Sequence, residues 1–348
     1  MKDWLKINFY QDRKIALEER NKIQALISQQ KYPEHFHLPL TLQFELTSHC
    51  NLHCKHCYNN SGADNRKEDY MTVEKWKEFA HYLVEKGGLF QCVLSGGEPL
   101  LLENDLFDIM DILHDDGTSF LVISNGWLMD QEKAKRFSKY RYKWFQISID
   151  GAIAQKHDSF RERDGSWEHA TNAVTMLSNE GIPVAVAHSI TPNTLEDIED
   201  MCELAYCLGA TTILVGEVTP SGRSALNTNL VLDHEQKNYL RGKIVELQEK
   251  YAGRLLVQRS STVKNQLLRY VDTPNNGAII RPNGDIRLDC MAPFIIGSLS
   301  RDDFQSVWTE KADVVWKDPR VQKYIESYAD FDDFNSFMKN YYDADIYL

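Results

Sequence analysis

Short apolar segments alternate with amphipathic helical segments from residue 40 to residue 216. Short apolar runs are typical of buried strands, whereas apolar residues at intervals of three and four mark one face of a helix. The predicted strands are Leu40–Leu46, Gln91–Leu94, Ser119–Ser124, Lys143–Ile149, Pro183–Ile190 and Thr211–Val215. The predicted helices between them cover about 73–84, 106–113, 168–180 and 195–208.

Six strand–helix units in succession predict a parallel sheet with helices on its outside. The pattern is compatible both with an open doubly wound sheet and with part of a barrel. In either arrangement the reactive loops lie at the carboxyl ends of the strands. We therefore expect the chemistry in the segments that directly follow the predicted strands.

The segments on either side of this region have different patterns. Gln11–Gln30 predicts an amphipathic helix, and Thr219–Asn229 is polar like a loop. A long helix is predicted at Asp233–Tyr251. A hairpin is predicted at Ala278–Leu288, with its turn at Pro282–Asp285. From Asp303 onward the pattern predicts an aromatic helical tail. We predict three parts: an N-terminal helical segment 1–38, a core 39–220 and a C-terminal extension 221–348.

The composition argues against several classes of partner. The net charge of −12 disfavours nucleic acid, because phosphate binding needs a basic surface. No apolar run approaches the roughly 18 residues of a membrane span. The N-terminus lacks the apolar core of a signal peptide. We therefore predict a cytoplasmic protein with no nucleic-acid and no membrane partner.

Seven cysteines, an odd number, disfavour a disulfide framework in such a protein. Cys50, Cys54 and Cys57 follow the first predicted strand and form one group. The predicted core thiols are Cys92, Cys202 and Cys207.

The group of three cysteines suggests an iron–sulfur cluster. Such clusters are held by thiolates, and three ligands leave one iron of a [4Fe–4S] cube open. An open iron can chelate a small molecule with an amine and a carboxylate, such as S-adenosylmethionine. A zinc site that includes His49, His53 or His56 is the alternative.

The segment around these cysteines reads Glu45-Leu-Thr-Ser-His-Cys50-Asn-Leu-His-Cys54-Lys-His-Cys57-Tyr. Its spacing resembles the signature of the radical S-adenosylmethionine (radical SAM) superfamily. Ser95-Gly96-Gly97-Glu98-Pro99, after the second strand, resembles a second motif of that family. The resemblance implies that Cys50, Cys54 and Cys57 hold one [4Fe–4S] cluster and that His56 packs near the adenine. It also implies that Gly96, Gly97, Glu98 and Pro99 approach the methionine amino group, where glycines leave room for a ligand.

Three further segments resemble peptide-modifying members of the superfamily: Ile123–Gly126, Ile147–Gly151 and His157–Arg161. The resemblance implies that Ser148 and Arg161 contact the methionine carboxylate, which a guanidinium can bind bidentately. A surface salt bridge is the alternative for Arg161. Asn125 is either a turn residue or a ligand. The stretch Gly216–Ser224 either borders the adenosine or substrate site or is a plain loop.

The segment Arg281–Cys290 resembles the start of the SPASM or twitch extension, which usually carries cysteines for auxiliary clusters. No cysteine follows Cys290 in this chain, so we predict a single cluster. The predicted fold is therefore α/β, a partial (β/α)6 TIM-like barrel with a small α+β extension that is SPASM/twitch-like and cluster-free. Cys290 has three interpretations: a structural thiol, a vestigial ligand, or a hydrogen-atom donor to a substrate radical.

The resemblance implies an enzyme that reductively cleaves S-adenosylmethionine to a 5′-deoxyadenosyl radical and abstracts hydrogen from a substrate. We predict a precursor peptide as substrate and crosslinking of a ribosomal peptide as the outcome. The alternatives are a peptide epimerase that uses Cys290, a small-molecule enzyme, and a non-enzymatic zinc or iron–sulfur module. A flavodoxin or ferredoxin is the expected electron donor. Because only about 40 residues precede the first strand, leader recognition is expected to need a separate leader-binding protein or the aromatic tail.

Overall fold

The computed structural model describes residues 25, 28–29, 37–62, 69–219, 221–260, 263–274, 276–290, 292–327 and 345–348. Most of the predicted helix at Gln11–Gln30 lies outside these residues, as does the aromatic tail between positions 328 and 344.

One sheet runs through the described part of the chain. Its strands are β1 Thr41–Glu45, β2 Gln91–Ser95, β3 Ser119–Ser124, β4 Tyr142–Ser148, β5 Val184–Ile190, β6 Thr212–Glu217, β7 Leu256–Arg259, β8 Gly277–Ile280, β9 Asp285–Asp289, β10 Ala292–Ser298 and β11 Ile346–Tyr347. They are ordered β11-β10-β9-β8-β1-β2-β3-β4-β5-β6-β7. Strand β8 and strands β1 to β7 all pair in parallel. The six predicted strands are thus confirmed, each within two residues of its observed ends.

Helices follow most of the parallel strands. They are α1 Val73–Glu85, α2 Asn104–Asp115, α3 Gln131–Phe137, α4 Ala154–Arg161, α5 Ser166–Asn179, α6 Ile198–Cys207, α7 His234–Lys250, α8 Val263–Asp272, α9 Phe304–Val315 and α10 Pro319–Glu326. The helices predicted between the strands and at Asp233–Tyr251 are confirmed. None of the described helices has the length and apolarity that crossing a membrane would require.

The parallel strands and their helices form the predicted partial TIM-like barrel, extended by one strand. Strand β7 pairs with β6 alone among the described residues, so the sheet has an open edge there. The sequence pattern did not reveal β7, because a four-residue strand with only two apolar positions gives little periodic signal.

The predicted hairpin is confirmed and lies against the first strand. Strands β8 and β9 are antiparallel, and Gly284 takes a positive φ of 84° in the turn between them. Strand β8 also pairs with β1, where a Cβ on Gly277 would lie 2.8 Å from the carbonyl oxygen of Thr41. Strands from both sides of the predicted boundary at 220/221 therefore belong to one sheet. The division of the chain into a core and a C-terminal extension remains a prediction.

The core packs behind the carboxyl end of β1. Trp76 on α1 is fully buried, and its ring stacks on Phe44 at a centroid distance of 4.8 Å. Its indole Nε1 donates a hydrogen bond of 3.0 Å to the carbonyl of Leu46, the residue after β1. Trp308, Trp316 and Tyr324 of the predicted aromatic tail are also core residues.

Replacing Trp76 by Phe keeps an aromatic ring but leaves the carbonyl of Leu46 without its indole donor. We expect Trp76→Phe to lower the free energy of unfolding by about 1–3 kcal/mol, measured by urea denaturation. Phe90, which is 71% exposed, provides the control. Phe90→Ala should change the same free energy by no more than about 0.5 kcal/mol. Equal effects of the two substitutions would contradict the role given to Trp76.

Candidate functional site

The residues singled out from the sequence gather at one edge of the sheet. Residues 46–62, here called the cysteine loop, follow β1, and the segments around Gly97, Asn125 and Asp150 follow β2, β3 and β4. Because the carboxyl ends of parallel strands meet at one edge, these segments become neighbours. Cys290 follows β9, which runs antiparallel to β8, so the parallel strands do not bring it to this edge.

The cysteine loop is tied down by two charged side chains. Asp69 Oδ2 accepts hydrogen bonds from Thr47 Oγ1 at 2.7 Å and from the Ser48 amide at 2.9 Å. Arg223 donates from Nε to the carbonyl of Cys54 at 2.9 Å and from Nη1 to the carbonyl of Ser61 at 2.8 Å. The sequence placed Arg223 only within a stretch of uncertain role. Its function as a clamp depends on a contact 169 positions away in the chain.

The three thiols of the loop are free and differ in exposure. Cys54 is buried, whereas Cys50 and Cys57 are half-buried. Burial, assisted by the charge of Glu98, raises the pKa of Cys50 to about 12. Burial also raises the pKa of Cys54, although Arg161 and Arg223 oppose this shift. Cys50 and Cys54 are therefore protonated until a metal displaces their protons.

Asn125 joins the β3 loop to the cysteine loop. Its Oδ1 accepts a hydrogen bond of 2.9 Å from the Trp127 amide, which makes it a turn residue. Its Nδ2 donates to Asn51 Oδ1 at 2.9 Å and lies 3.8 Å from Cys50 Sγ. The turn role is confirmed, and the same side chain contacts a thiol.

Gly96 and Gly97 pack directly against the cysteine loop. Gly97 donates its amide hydrogen to the carbonyl of Thr47 at 2.6 Å, and a Cβ on Gly97 would lie 1.8 Å from the carbonyl oxygen of His49. A Cβ on Gly96 would lie 2.6 Å from the carbonyl oxygen of Thr47. The sequence suggested that a ligand required these glycines, but the backbone of the cysteine loop already requires them.

The side chain of Glu98 links the ends of β2 and β3. It is 1% exposed and accepts hydrogen bonds from Ser124 Oγ at 2.8 Å and from the amides of Asn125 at 2.8 Å and Leu100 at 3.1 Å. Burial raises the pKa of Glu98 to about 7 despite these donors. Its side chain therefore faces protein atoms, and Pro99 begins a short 3-10 helix, Pro99–Leu102, beside it.

Arg161 forms a buried ion pair at the end of β4. Its Nε and Nη2 lie 2.8 Å and 2.7 Å from Asp150 Oδ2. Burial alone would lower the pKa of Arg161, but the carboxylate of Asp150 outweighs it and raises the pKa. The pair is not at the surface, which contradicts the alternative of a surface salt bridge. Ser148, the last residue of β4, is half-buried on the same strand.

His56 lies on the other side of Asp150. Its ring stacks on Phe160 with a centroid distance of 4.3 Å and an interplanar angle of 4°. Its Nε2 lies 3.7 Å from Asp150 Oδ2, which is too long for a hydrogen bond. Burial lowers the pKa of His56 to about 4, so the ring is neutral near pH 7.

A sequence pattern of the radical SAM superfamily matches residues 44–205, which include the cysteine loop, Gly96–Pro99, Ser148 and Arg161. Residues 44–205 of this chain belong to the radical SAM superfamily. A [4Fe–4S] cluster and S-adenosylmethionine are the cofactors of this radical SAM protein.

This chain aligns with different fractions of two similar proteins. The antilisterial bacteriocin subtilosin biosynthesis protein AlbA of Bacillus subtilis is 27% identical over 317 residues, covering 88% of this chain and 68% of AlbA. The AdoMet-dependent heme synthase of Methanosarcina barkeri is 31% identical over 185 residues, covering 53% of this chain and 52% of the synthase. The chain thus spans only about half the length of the second relative.

Solved structures share the fold of this radical SAM protein. Streptococcus suis SuiB bound to S-adenosylmethionine has a TM-score of 0.64 at 13% identity, covering 93% of this chain and 76% of SuiB. SuiB bound to its precursor peptide SuiA has a TM-score of 0.62, also at 13% identity, covering 96% of this chain and 78% of SuiB. These similarities support the partial barrel.

The cysteine geometry fits a cluster better than a single ion. Zinc needs its ligands to converge on one point at about 2.0–2.3 Å. Within the described ranges, no group of three or more His, Cys, Asp or Glu side chains is arranged to hold one metal ion. Cluster cysteines bind separate irons, so their sulfurs need not converge in this way.

Cys290 directly follows β9. Its thiol is half-buried, with Sγ 3.7 Å from Gln266 Nε2. Burial, followed by the carboxylate of Asp289, raises the pKa of Cys290. The thiol is therefore protonated near pH 7.

The remaining thiols confirm two predictions and contradict one. Cys92 and Cys202 are buried in the core, whereas Cys207 is exposed. The prediction for Cys207 was wrong because five residues along a helix rotate a side chain by roughly 140° from the starting face. The buried face of α6 that holds Cys202 therefore cannot hold Cys207.

A side chain at position 97 should disrupt the site. Because its Cβ would lie 1.8 Å from the carbonyl oxygen of His49, Gly97→Ala must displace the cysteine loop. We expect the variant to bind as little iron and sulfide after anaerobic reconstitution as a chain without the three thiols. Gly242→Ala is the control, since nothing lies within 4 Å of a Cβ at this position on α7. Full iron loading of Gly97→Ala would show that the close contact between Gly97 and the carbonyl of His49 is not required for metal binding.

Proposed function

We propose that this radical SAM chain abstracts hydrogen from a peptide and matures a ribosomally made precursor. The observation that carries the proposal is the cysteine loop, which Asn125 and Arg223 hold at the barrel edge beside Arg161. A site built only for electron transfer or zinc binding has no need for the buried guanidinium of Arg161 beside its thiols.

We assign a role to each part of the site. Cys50, Cys54 and Cys57 hold the cluster. Ser148 and Arg161 bind the methionine carboxylate, and His56 packs near the adenine. The backbone at Gly96–Pro99 borders the methionine amino group. When bound and reduced, the cofactors supply a 5′-deoxyadenosyl radical, and the surrounding chain keeps water from the reacting atoms.

The proposal of a peptide substrate rests on two named proteins. AlbA, which aligns with 88% of this chain, is named for bacteriocin biosynthesis, and SuiB was crystallised with a precursor peptide. The heme synthase relative keeps a small-molecule substrate as the competing candidate. We propose that a flavodoxin or ferredoxin supplies the electron and that a separate protein binds the leader.

We propose crosslinking as the outcome of hydrogen abstraction. Forming a bond between two side chains releases an electron and a proton, and in a protein with one cluster the electron would return to that cluster. Epimerisation is the second candidate because a specific observation favours it. Cys290 is a half-buried thiol whose pKa is raised by burial, and a hydrogen-atom donor must carry its hydrogen.

Substitution of Cys50, Cys54 or Cys57 by Ala, one at a time, should abolish the formation of 5′-deoxyadenosine from S-adenosylmethionine and dithionite. Each thiol is a proposed ligand of one iron, so no other residue replaces it. Liquid chromatography of the quenched reaction measures the product. Cys207→Ala is the matched control, because this exposed thiol lies away from the cysteine loop and should retain full product formation.

Reconstituted wild-type chain that forms no 5′-deoxyadenosine would sink the proposed enzyme function. Retained formation in any one of the three variants would remove that cysteine from the ligand set.

Cys290→Ala separates the two outcomes on a precursor peptide encoded beside this chain. A crosslinking enzyme should still remove two hydrogen atoms from the peptide, because the thiol takes no part. An epimerase should lose the incorporation of solvent hydrogen while still cleaving S-adenosylmethionine. Mass spectrometry of the peptide after reaction in deuterated water measures both results. Unchanged deuterium incorporation in the variant would eliminate Cys290 as the donor.

A further inference from the structure

The carboxylate of Asp150 lies at the centre of several elements around the proposed cofactor site. It is 1% exposed and lies two residues after Ser148, the last residue of β4. Its Oδ1 accepts a hydrogen bond of 2.7 Å from the Ser189 amide on β5. Its Oδ2 binds two nitrogens of Arg161 on α4. One side chain thus connects β4, β5 and α4.

The main chain reinforces this arrangement. The Asp150 amide donates a hydrogen bond of 3.0 Å to His157 Nδ1, one turn before Arg161 on α4. A Cβ on Gly151 would lie 2.7 Å from the His157 amide nitrogen, so the loop and the helix are in close contact. Helix α4 is therefore fixed against the end of β4 at two levels, through its backbone and through its arginine.

Arg161 also lies next to the cysteine loop. The carbonyl of Phe160, the residue before it, accepts a hydrogen bond of 3.1 Å from the amide of Lys55, which follows Cys54. Arg161 is only 5% exposed and is one of the longer, more flexible side chains. Asp150 occupies its Nε and Nη2, so the remaining donors can point only away from Asp150.

The Asp150 pair resists protonation. Burial alone would raise the pKa of Asp150, but Arg161 outweighs it and holds the pKa well below its usual range. His157 and His188 lie around the pair, and burial lowers the pKa of each. The carboxylate and guanidinium are therefore the charged groups of this cluster near pH 7.

We propose that Asp150 is a positioning residue that orients Arg161 for the carboxylate of S-adenosylmethionine. This inference rests on the proposed function, since it assigns Arg161 to that ligand. Asp150 acts through Arg161 and does not itself touch the ligand.

The test measures the affinity of the iron-loaded chain for S-adenosylmethionine by equilibrium dialysis, together with its iron content. Asp150→Asn should weaken binding by about 10- to 100-fold, the usual effect of losing a partner that orients a binding side chain. Iron content should stay at the wild-type level, because the cysteine loop keeps its own anchors. Asp158→Asn, on the helix that carries Arg161, is the matched control.

Asp158 has a purely structural environment. It accepts hydrogen bonds from the amides of Gly165 and Trp167 and from Ser166 Oγ, all at 2.8 Å, and so caps α5. Asp158→Asn should lower the stability of the chain but leave the affinity for S-adenosylmethionine unchanged. A loss of affinity equal to that of Asp150→Asn would overturn the inference, because any disturbance of this region would then suffice.

Asp150→Glu separates position from charge, and also covers the case in which the Asn variant fails to fold. It keeps the buried charges balanced but moves the carboxylate by one methylene. A positioning role predicts weakened binding of S-adenosylmethionine, whereas a role in charge balance alone predicts wild-type affinity and would overturn the inference.

A double-mutant comparison tests whether Asp150 acts through Arg161. In an Arg161→Gln background, the Asp150→Asn change should have no further effect on affinity. Fully multiplicative losses would overturn the inference while leaving the proposed function intact. A wild-type chain that loads iron but does not bind S-adenosylmethionine would overturn both.

Discussion

The site depends on a backbone contact between two neighbouring loops, one of which holds all three grouped thiols. The register of β1 and β2 places Glu45 opposite Ser95, so the cysteine loop and the Gly96–Gly97 segment leave the sheet side by side. The separation between their backbones leaves no space for a side chain at either glycine. The position of the thiols is therefore set by the pairing of two strands in addition to the sequence of the loop itself.

Electrostatics around the thiols follow from which cations are buried there. In a chain of net charge −12, burial raises the pKa of the Cys54 thiol, and the guanidinium groups of Arg161 and Arg223 oppose this shift. Arg161 is neutralised by Asp150, whereas Arg223 is satisfied by loop carbonyls, as in its bond to Cys54 O. Metal binding requires thiolates, so buried cations reduce the cost of forming negative charge in this enclosed site.

The sequence predicted the strands and helices better than it predicted which residues contact one another. Buried parallel strands are nearly continuous apolar runs, so β1 to β6 were evident, whereas β7 was too short to detect. Gly97 was recognised as a constrained position, but the sequence could not reveal that the group beside it is the carbonyl of His49. Likewise Arg161 was singled out without its partner Asp150. Each of these contacts forms only when the ends of separate strands come together in the sheet, and a local sequence pattern does not indicate which residues will then be neighbours.

The C-terminal hairpin affects the site through the same sheet. By pairing with β1, β8 covers an edge of the strand that leads into the cysteine loop, and unpaired edges are otherwise open to wrong association. The hairpin also brings Arg281 Nε to 3.7 Å from Glu45 Oε2. Strand pairing thus brings a charged side chain of the C-terminal hairpin to the last residue of β1, directly before the cysteine loop.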